Sequence, residues 1–218
     1  MASASRASSR AIAIASSSVM AGTVAPGRPM AFAVSSLPMR WTIHGERSLY
    51  DSEWVKLHLA DVELPDGKRF EHHLIRAPMP ATGVVVRDGT RGVLLLWRHR
   101  FITDTWGWEI PAGMVEQGET IEAGAAREVV EETGWRPGPL ETLIAYHPTN
   151  GLSDQVFHLF LADGASEVGP PVDVHEAERI VWVPVSELIE MVRRGEVRYG
   201  LSLTALCWCF AFGRLRGD

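Results

Sequence analysis

Hydrophobic and polar positions alternate along several short segments of the chain, and this period of two is typical of half-buried β-strands. The alternation is clearest over residues 52–64, and a second segment of the same kind covers residues 69–75. Between them, Pro65, Asp66 and Gly67 form a turn sequence. This part of the chain is therefore predicted to form an antiparallel β-hairpin.

Strongly apolar segments follow the hairpin and predict a buried sheet. Residues 82–86 and 92–97 flank a turn at Asp88-Gly89, and the second segment is apolar enough to be buried on both faces. Three later segments are also predicted to be strands: 140–146, 155–162 and 180–183.

The longest helical pattern covers residues 120–133. Its apolar side chains recur every three to four positions, so one side of the helix is predicted to pack inward. Thr120 or Glu119 is the candidate cap at its start, and Gly134 tolerates the left-handed conformation at its end.

Two more helices are predicted near the C-terminus. Ser186 is the candidate cap of the first, which is expected to run to Arg194 and to end at Gly195. The second covers residues 201–215 and is predicted to place three aromatic side chains in the core: Trp208, Phe210 and Phe212.

Composition indicates one globular domain with an appendage, because the chain has 218 residues of which 46% are hydrophobic. The appendage is residues 1–40, which are rich in Ala and Ser and contain no acidic residue. Such a segment buries too little to fold alone, so we interpret it as a disordered leader. Two alternatives stay open: an organelle targeting peptide, and upstream sequence before a true start at Met30 or Met39.

Charge and cysteine content narrow the class of protein. The formal net charge of −6 gives no basic footprint for nucleic acid. No apolar run approaches the roughly 20 residues of a membrane span. The only cysteines, Cys207 and Cys209, stand at neighbouring positions of a predicted helix that do not favour a disulfide. We therefore expect a reduced, cytoplasmic protein.

The candidate chemistry lies in residues 113–135. On the predicted helix, Glu128 and Glu132 are four positions apart and Glu131 lies between them, so the three carboxylates project from one face. Like charges this close repel, and hard oxygen ligands favour Mg²⁺ or Mn²⁺. A solvent-exposed acidic face is the commoner fate of such a run.

The fixed positions around these carboxylates favour the metal site. The pattern consists of Gly113, Glu119, Arg127-Glu128, Glu131-Glu132, Gly134 and a bulky apolar Trp135. At these offsets the segment resembles the Nudix box of the Nudix hydrolases. The resemblance implies an α/β fold, an α/β/α sandwich with a mixed sheet over residues 81–218. It also implies an N-terminal antiparallel β-hairpin region over residues 41–80, a candidate for dimerisation.

The resemblance assigns roles to the residues of the box. Arg127 and Glu119 brace the loop against the helix, and Arg127 is a catalytic residue only secondarily. The implied ligands of Mg²⁺, or of Mn²⁺ in its place, are Glu128, Glu131, Glu132 and the carbonyl of Ala112. Glu128 is also expected to act in catalysis, and Gly113 and Gly134 are expected to be structural.

Within the family, the lead-in Glu109-Ile110-Pro111-Ala112-Gly113 and the N-terminal hairpin resemble ADP-ribose pyrophosphatases. In that branch the pair matching Phe70-Glu71 contacts adenine, and ordinary strand packing is the alternative for Phe70. Arg100 matches a phosphate contact, and a surface charge is the alternative. Glu109 is expected near the metal or near Arg127. Arg98 stands where the branch usually has Gln.

Further substrate contacts are predicted at Arg76, Met114 and Asp154, although a surface Arg is the commoner role for Arg76. In ADP-ribose pyrophosphatases a mobile Glu within the loop that corresponds to residues 163–179 activates water. Glu176 is the predicted base and Glu178 the reserve, and a solvated acidic loop is the alternative.

The resemblance implies Mg²⁺-dependent hydrolysis of a small-molecule nucleoside diphosphate derivative by a homodimer. ADP-ribose, cleaved to AMP and ribose 5-phosphate, is the preferred substrate. UDP- or GDP-sugars and NADH are alternatives within the class. A regulatory protein that senses ADP-ribose without hydrolysing it is the alternative from another class.

Overall fold

The computed structural model describes residues 39–172 and 175–216. The predicted leader lies almost wholly outside the described residues, so its interpretation stays a prediction. The described strands are β1 Thr42–Asp51, β2 Lys56–Glu63, β3 Arg69–Arg76, β4 Ala81–Asp88, β5 Gly92–Arg100, β6 Thr105–Glu109, β7 Ala112–Met114, β8 Trp135–Pro137, β9 Leu140–Tyr146, β10 Phe157–Asp163, β11 Ala165–Glu167 and β12 Arg179–Val183. The described helices are α1 Ile121–Thr133, α2 Val185–Arg193 and α3 Gly200–Ala211.

The N-terminal region is an antiparallel sheet of three strands in the order β1-β2-β3. The antiparallel arrangement is confirmed, but the prediction of a single strand over residues 52–64 is wrong at its start. The hydroxyl of Ser52 accepts hydrogen bonds from the backbone N–H groups of Trp54 and Val55. This serine turn separates β1 from β2, because the N–H groups it holds are taken out of a strand ladder.

The central sheet is mixed, with the order β12-β5-β4-β10-β9 and with β6 and β7 paired to β5 and β4. Strands β4 and β10 run parallel, and the other described pairs in this sheet are antiparallel. Because β7 pairs with β4, the start of the box is fixed to the middle of the sheet, where Thr82 lies opposite Gly113.

Helices cover both faces of this sheet, which confirms the predicted α/β/α sandwich. Helix α1 packs on one face, whose buried residues are Val84, Val86, Leu94, Ala125, Val129, Phe160 and Ala162. Helices α2 and α3 pack on the other, where the fully buried side chains include Val85, Leu95, Leu159, Leu188 and Leu206. Strand β5 therefore contributes to both layers, as its continuous apolar run predicts.

Helix α1 begins and ends where the sequence predicts. The hydroxyl of Thr120, rather than the carboxylate of Glu119, accepts a hydrogen bond of 3.1 Å from the N–H of Ala123. Gly134 ends the helix with φ of 74°. A side chain there would also collide with the carbonyl of Gly169, which lies 2.1 Å from the position of an added Cβ. Gly134 thus lets the segment after β11 approach the end of α1.

The two C-terminal helices differ from their predictions in their ends. Helix α2 begins at Val185 with Pro184 as its N-cap, so Ser186 lies inside the first turn and does not cap it. Helix α3 stops at Ala211, before Gly213 takes a φ of 64°. Phe212 is consequently 62% exposed and does not belong to the core as predicted.

Several short strands escape the sequence patterns. Strands β7, β8 and β11 have three residues each and β6 has five, which is too short for a period of two to be recognised. The strand predicted from residue 155 starts instead at Phe157. The side chain of Gln155 donates to the carbonyl of Met79, and its N–H donates to Ser153, so Gln155 serves the loop.

The C-terminal helix carries both cysteines as free thiols, with Cys207 exposed and Cys209 buried. Burial raises the pKa of the Cys209 thiol to about 11. Among residues 39–172 and 175–216, none of the helices has the length and apolar character needed to traverse a bilayer.

The close approach at Gly134 gives a stability prediction. Gly134→Ala should lower the free energy of unfolding by at least about 3 kcal/mol, because it adds a backbone collision to the strain of a left-handed Ala. Gly195→Ala is the matched control, since Gly195 has φ of 70° but open space around an added Cβ. The control should lose only about 1 kcal/mol in urea denaturation. If Gly134→Ala and Gly195→Ala lower the free energy of unfolding equally, the collision with Gly169 does not destabilise the Gly134 variant.

Candidate active site

Arg127 connects helix α1 to the loop that precedes it. Its Nε and Nη2 donate to the two carboxylate oxygens of Glu119, at 2.9 and 3.1 Å. Its Nη2 also donates to the carbonyl of Met114 at 2.9 Å. Glu119 in turn accepts the backbone N–H of Glu116 at 3.0 Å. The loop is therefore held to the helix by one guanidinium, in the arrangement that the resemblance implies.

Two of the predicted ligands meet at the same arginine. Nη1 of Arg127 donates to Glu128 at 2.9 Å and to Glu131 at 2.8 Å. Glu128 lies so close to Gly113 that a Cβ added there would be 2.2 Å from the carboxyl carbon. Because Gly113 has no side chain, the space beside it is open to the carboxylate of Glu128. Burial raises the pKa of Glu128, against the lowering effect of Arg127.

Glu132 is held apart from these two carboxylates. Its side chain is buried, and one oxygen accepts from Nη1 of Arg98 at 2.7 Å while the other accepts from the N–H of Ala112 at 2.9 Å. Burial raises the pKa of Glu132 to about 8, although Arg98 and the N–H of Ala112 act in the opposite direction. Glu132 thus connects α1 to β7 and to β5.

Arg98, which stands where the related branch usually has Gln, is a functional candidate whose role the sequence alone did not reveal. Besides Glu132, its guanidinium pairs with the carboxylate of Glu176, and its Nε donates to the carbonyl of Glu176 at 3.1 Å. Side chains alternate along β5, so Arg98 and Arg100 face the α1 side of the sheet together. In the sequence, the spacing of two positions between Arg98 and Arg100 on a predicted strand places both arginines on the same face. This spacing is the signal that could have identified Arg98 as a partner of the acidic helix α1.

Arg100 lies beside this group and is paired with Glu109. Its Nε donates to a carboxylate oxygen of Glu109 at 2.8 Å, and its side chain is partly exposed. The partner of Glu109 is Arg100 rather than Arg127, because β5 and β6 are adjacent strands and the two side chains face the same side. The expectation that Glu109 lies near the metal stays a prediction.

The substrate contacts predicted on β3, which are Phe70, Glu71 and Arg76, do not form one site. Nη1 of Arg76 donates to Asp154 at 3.0 Å, and Arg76 also pairs with Glu46 of β1. Phe70 packs edge-on against Trp41 at 5.9 Å between ring centroids. Glu71 faces the opposite side of β3 from Phe70 and Arg76.

Arg76 and Asp154 border a cleft of about 310 Å³ between the N-terminal sheet and the loop before β10. His72, His147 and Asn150 also line it. The cleft therefore combines hydrogen-bonding groups from both the sheet and the loop with an apolar lining from Ile43, Leu74 and Leu152. Met114 is exposed, and its carbonyl serves Arg127, as described above.

The carboxylates of α1 have the donor chemistry of a site for a hard divalent cation. In the part of the chain that the structure describes, no three acidic, His or Cys side chains converge as ligands. Glu128 and Glu131 do converge on a single cationic nitrogen of Arg127, and the cradle at Gly113 fits the Glu128 carboxylate. Oxygen-only donors at such a position suit Mg²⁺ or Mn²⁺.

Comparison with protein families agrees with this geometry. Residues 77–201 match the family model described as the NUDIX domain. The chain belongs to the Nudix family. Residues 41–75 match a second model, described as the nucleoside diphosphate sugar hydrolase N-terminal domain. The Nudix box and the three-stranded sheet before it thus each have a counterpart in known families.

Several relatives with assigned names are enzymes. The chain is 45% identical over 157 residues to a CMP-5'-(N-acetyl-N-hydroxy-3-aminopropyl)phosphonate hydrolase of Streptomyces rubellomurinus, covering 72% of this chain and 76% of that protein. It is 30% identical over 168 residues to an ADP-ribose pyrophosphatase of Mycobacterium tuberculosis, covering 76% and 80%.

One solved structure shows the same fold at low sequence identity. The crystal structure of an ADP compounds hydrolase superposes with a TM-score of 0.74 at 16% identity, covering 83% of this chain and 97% of that one. Membership of the Nudix family and these enzyme relatives establish the protein as a Nudix hydrolase.

The brace at Arg127 gives the second prediction. Arg127→Lys should lower the free energy of unfolding by about 1–3 kcal/mol, because a single ammonium cannot replace the paired hydrogen bonds to Glu119 and those to Met114 and Glu131. The control is Arg193→Lys, whose pair with Glu190 is exposed. Its expected change in urea denaturation is within about 0.5 kcal/mol. A change at Arg127 no larger than the control would mean that the network does not stabilise the fold.

Proposed function

We propose that the protein hydrolyses the pyrophosphate bond of a nucleoside diphosphate derivative with bound Mg²⁺, and that ADP-ribose, cleaved to AMP and ribose 5-phosphate, is its substrate. The single observation that carries the proposal is the convergence of Glu128 and Glu131 on Nη1 of Arg127, next to the cradle at Gly113. Two carboxylates that already share one cationic atom are arranged to share a metal cation.

Glu128, Glu131, Glu132 and the carbonyl of Ala112 are the proposed ligands of Mg²⁺, with Mn²⁺ as a substitute. When bound, the ion neutralises charge on the diphosphate and lowers the pKa of a bound water. Glu132 is buried and paired with Arg98, whereas Glu131 is already near the surface.

Side chains around helix α1 are proposed to transfer the proton, to bind phosphate and to position the metal ligands. Glu176 is the proposed base that takes the proton of the attacking water, and Glu178 is the reserve. Arg100 is the proposed phosphate contact, because its partly exposed guanidinium has a planar fork suited to phosphate oxygens. Arg127 keeps Glu128 and Glu131 in place.

The cleft beside Arg76 and Asp154 is the proposed site for the nucleoside part of the substrate. It offers side-chain and backbone polar groups from two elements, as a nucleobase and a ribose require. Phe70 and Glu71 lie elsewhere on the same sheet, and their contact with adenine stays a prediction. Selection among nucleotides would then depend on loops outside the box, as is usual for binding sites.

A second substrate is favoured by the similarity to the phosphonate hydrolase. That relative is named for a CMP-linked phosphonate, and it is 45% identical to this chain over 157 residues. A nucleotide joined to a phosphonate presents the same phosphorus anhydride to the metal and arginines. UDP- and GDP-sugars and NADH remain alternatives of the same class, and an ADP-ribose sensor is the alternative without turnover.

A substrate panel tests this proposal. The chain should release AMP and ribose 5-phosphate from ADP-ribose with Mg²⁺, and EDTA should abolish the reaction, because the diphosphate charge is then not neutralised. Product release is measured by chromatography for ADP-ribose, a CMP-linked phosphonate, UDP- and GDP-sugars and NADH. A higher kcat/KM for the CMP-linked phosphonate would replace ADP-ribose by the second candidate.

The panel has a matched pair of variants. Glu128→Gln should reduce kcat/KM by about 100-fold or more, whereas Glu122→Gln, in the exposed first turn of the same helix, should stay within about twofold. Tight binding of ADP-ribose with no products in the parent chain would instead support the sensor. Full activity of Glu128→Gln would contradict the assigned metal ligand.

We also propose that the protein is a homodimer joined through the N-terminal sheet, in a cytoplasmic setting. Every residue of β1 is exposed, and β1 is an edge strand with no partner on its outer side among the described residues. Large apolar side chains on and beside it are exposed: Trp41, Ile43, Leu49, Tyr50 and Trp54. A second copy of this surface would bury the apolar groups and the open strand edge.

The dimer is tested by light scattering coupled to size-exclusion chromatography. The parent chain should have twice its chain mass of 24.0 kDa, and Tyr50→Arg should shift it to the monomer, because it places a charge in the apolar contact. Phe212→Arg is the control, since Phe212 is equally exposed but lies at the end of α3. A monomeric parent chain would refute the proposed contact.

A further inference from the structure

Arg98 is a buried arginine with acidic partners from two different elements. It lies on β5, near its end, while Glu132 lies at the end of α1 and Glu176 lies between β11 and β12. Its side chain is only 6% exposed. A guanidinium this buried makes little contact with solvent or with ligands at the protein surface. The planar fork of Arg allows it to pair with two carboxylates at once.

Val172 and Glu178, which lie on either side of Glu176 in the sequence, are each held by a backbone hydrogen bond. The N–H of Val172 donates to the carbonyl of Glu131 at 2.8 Å, and the N–H of Glu178 donates to the carbonyl of Trp97 at 2.9 Å. These bonds place Val172 against α1 and Glu178 against β5. They leave the direction of the Glu176 side chain undetermined, because neither bond involves its carboxylate.

The direction of the Glu176 side chain is set by Arg98. Nη2 pairs with the carboxylate of Glu176, while Nε donates to the carbonyl of the same residue at 3.1 Å. Because Arg98 binds both the carboxylate and the backbone carbonyl of Glu176, it fixes the side chain and the backbone of Glu176 together. Nη1 is used for Glu132 at 2.7 Å, so Glu176 is placed next to the proposed metal ligands.

We propose that Arg98 is a positioning residue, which holds the carboxylate of Glu176 against the end of α1 so that it faces the bound diphosphate. This inference rests on the proposed function, since it requires Glu176 to act as the base. Arg98 contacts neither the proposed phosphate site at Arg100 nor the cleft at Arg76. Its loss should therefore change turnover and leave substrate binding nearly unaltered.

A double-mutant cycle in the full chain tests the proposal. Glu176→Gln should lower kcat by about 100-fold or more, and Arg98→Gln by about 10- to 100-fold, each with KM within about twofold. The variant with both changes should be no slower than Glu176→Gln alone, because Arg98 acts through Glu176. Arg98→Lys keeps the charge and should recover part of the activity.

Arg87→Gln is the matched control for lost stability. Like Arg98, Arg87 pairs with a carboxylate, that of Asp163, but it is only partly buried and lies at the far end of β4 from the site. It should leave kcat unchanged. If the effects of Arg98→Gln and Glu176→Gln multiply, Arg98 acts through Glu132 or through the fold, and the inference is overturned.

Hydrogen exchange gives a readout that does not depend on turnover. The amides of residues 175–178 should exchange faster in Arg98→Gln and Arg98→Lys than in the parent chain, and at the parent rate in Arg87→Gln. Unchanged exchange in both Arg98 variants overturns the inference. Normal turnover of Glu176→Gln overturns the base assignment and the inference with it, but leaves the hydrolase proposal standing. An inactive parent chain removes the proposed function, and exchange alone then decides whether Arg98 holds the segment.

Discussion

The site depends on two arginines that hold together four carboxylates near the C-terminal half of helix α1. Glu128, Glu131, Glu132 and Glu176 would repel one another in this space, and Arg127 and Arg98 compensate part of their negative charge. Because each guanidinium pairs with more than one carboxylate, these ion pairs also fix the geometry of the site. The loop before α1, the strand β5 and the segment after β11 are all held where these arginines can reach.

The three carboxylates of α1 differ in how far they are buried, so the site has an inner and an outer side. The side chain of Glu132 is 2% exposed, that of Glu128 is 15% and that of Glu131 is 34%. Glu131 and Glu128 are therefore the carboxylates that the proposed cation would reach first from solvent, while Glu132 lies behind them and is paired with Arg98. The buried carboxylate of Glu132 connects the helix to the sheet.

The sequence predicts best what depends on neighbouring residues. The ends of α1 are correct because Thr120 and Gly134 act within one turn of the helix, and Arg127 reaches its partners through fixed offsets in the loop and helix. The pairing of Arg98 with Glu176 joins residues 78 positions apart, and no local pattern reports it. The same holds for the partner of Glu109, which follows from the register of β5 and β6.

In the proposed assignment, the chemistry and the selection of substrate lie on separate parts of the fold, and this separation makes the family easier to establish than the substrate. The carboxylates and arginines around α1 address a phosphorus anhydride, a unit that ADP-ribose, nucleotide sugars and a CMP-linked phosphonate share. The cleft at Arg76 is built by the N-terminal sheet and the loop before β10, which the N–H of Ile75 joins to the carbonyl of Leu152 at 2.8 Å. No residue of the box lines that cleft, so if the proposed nucleoside site is correct, the N-terminal sheet and the loop before β10 select the nucleoside.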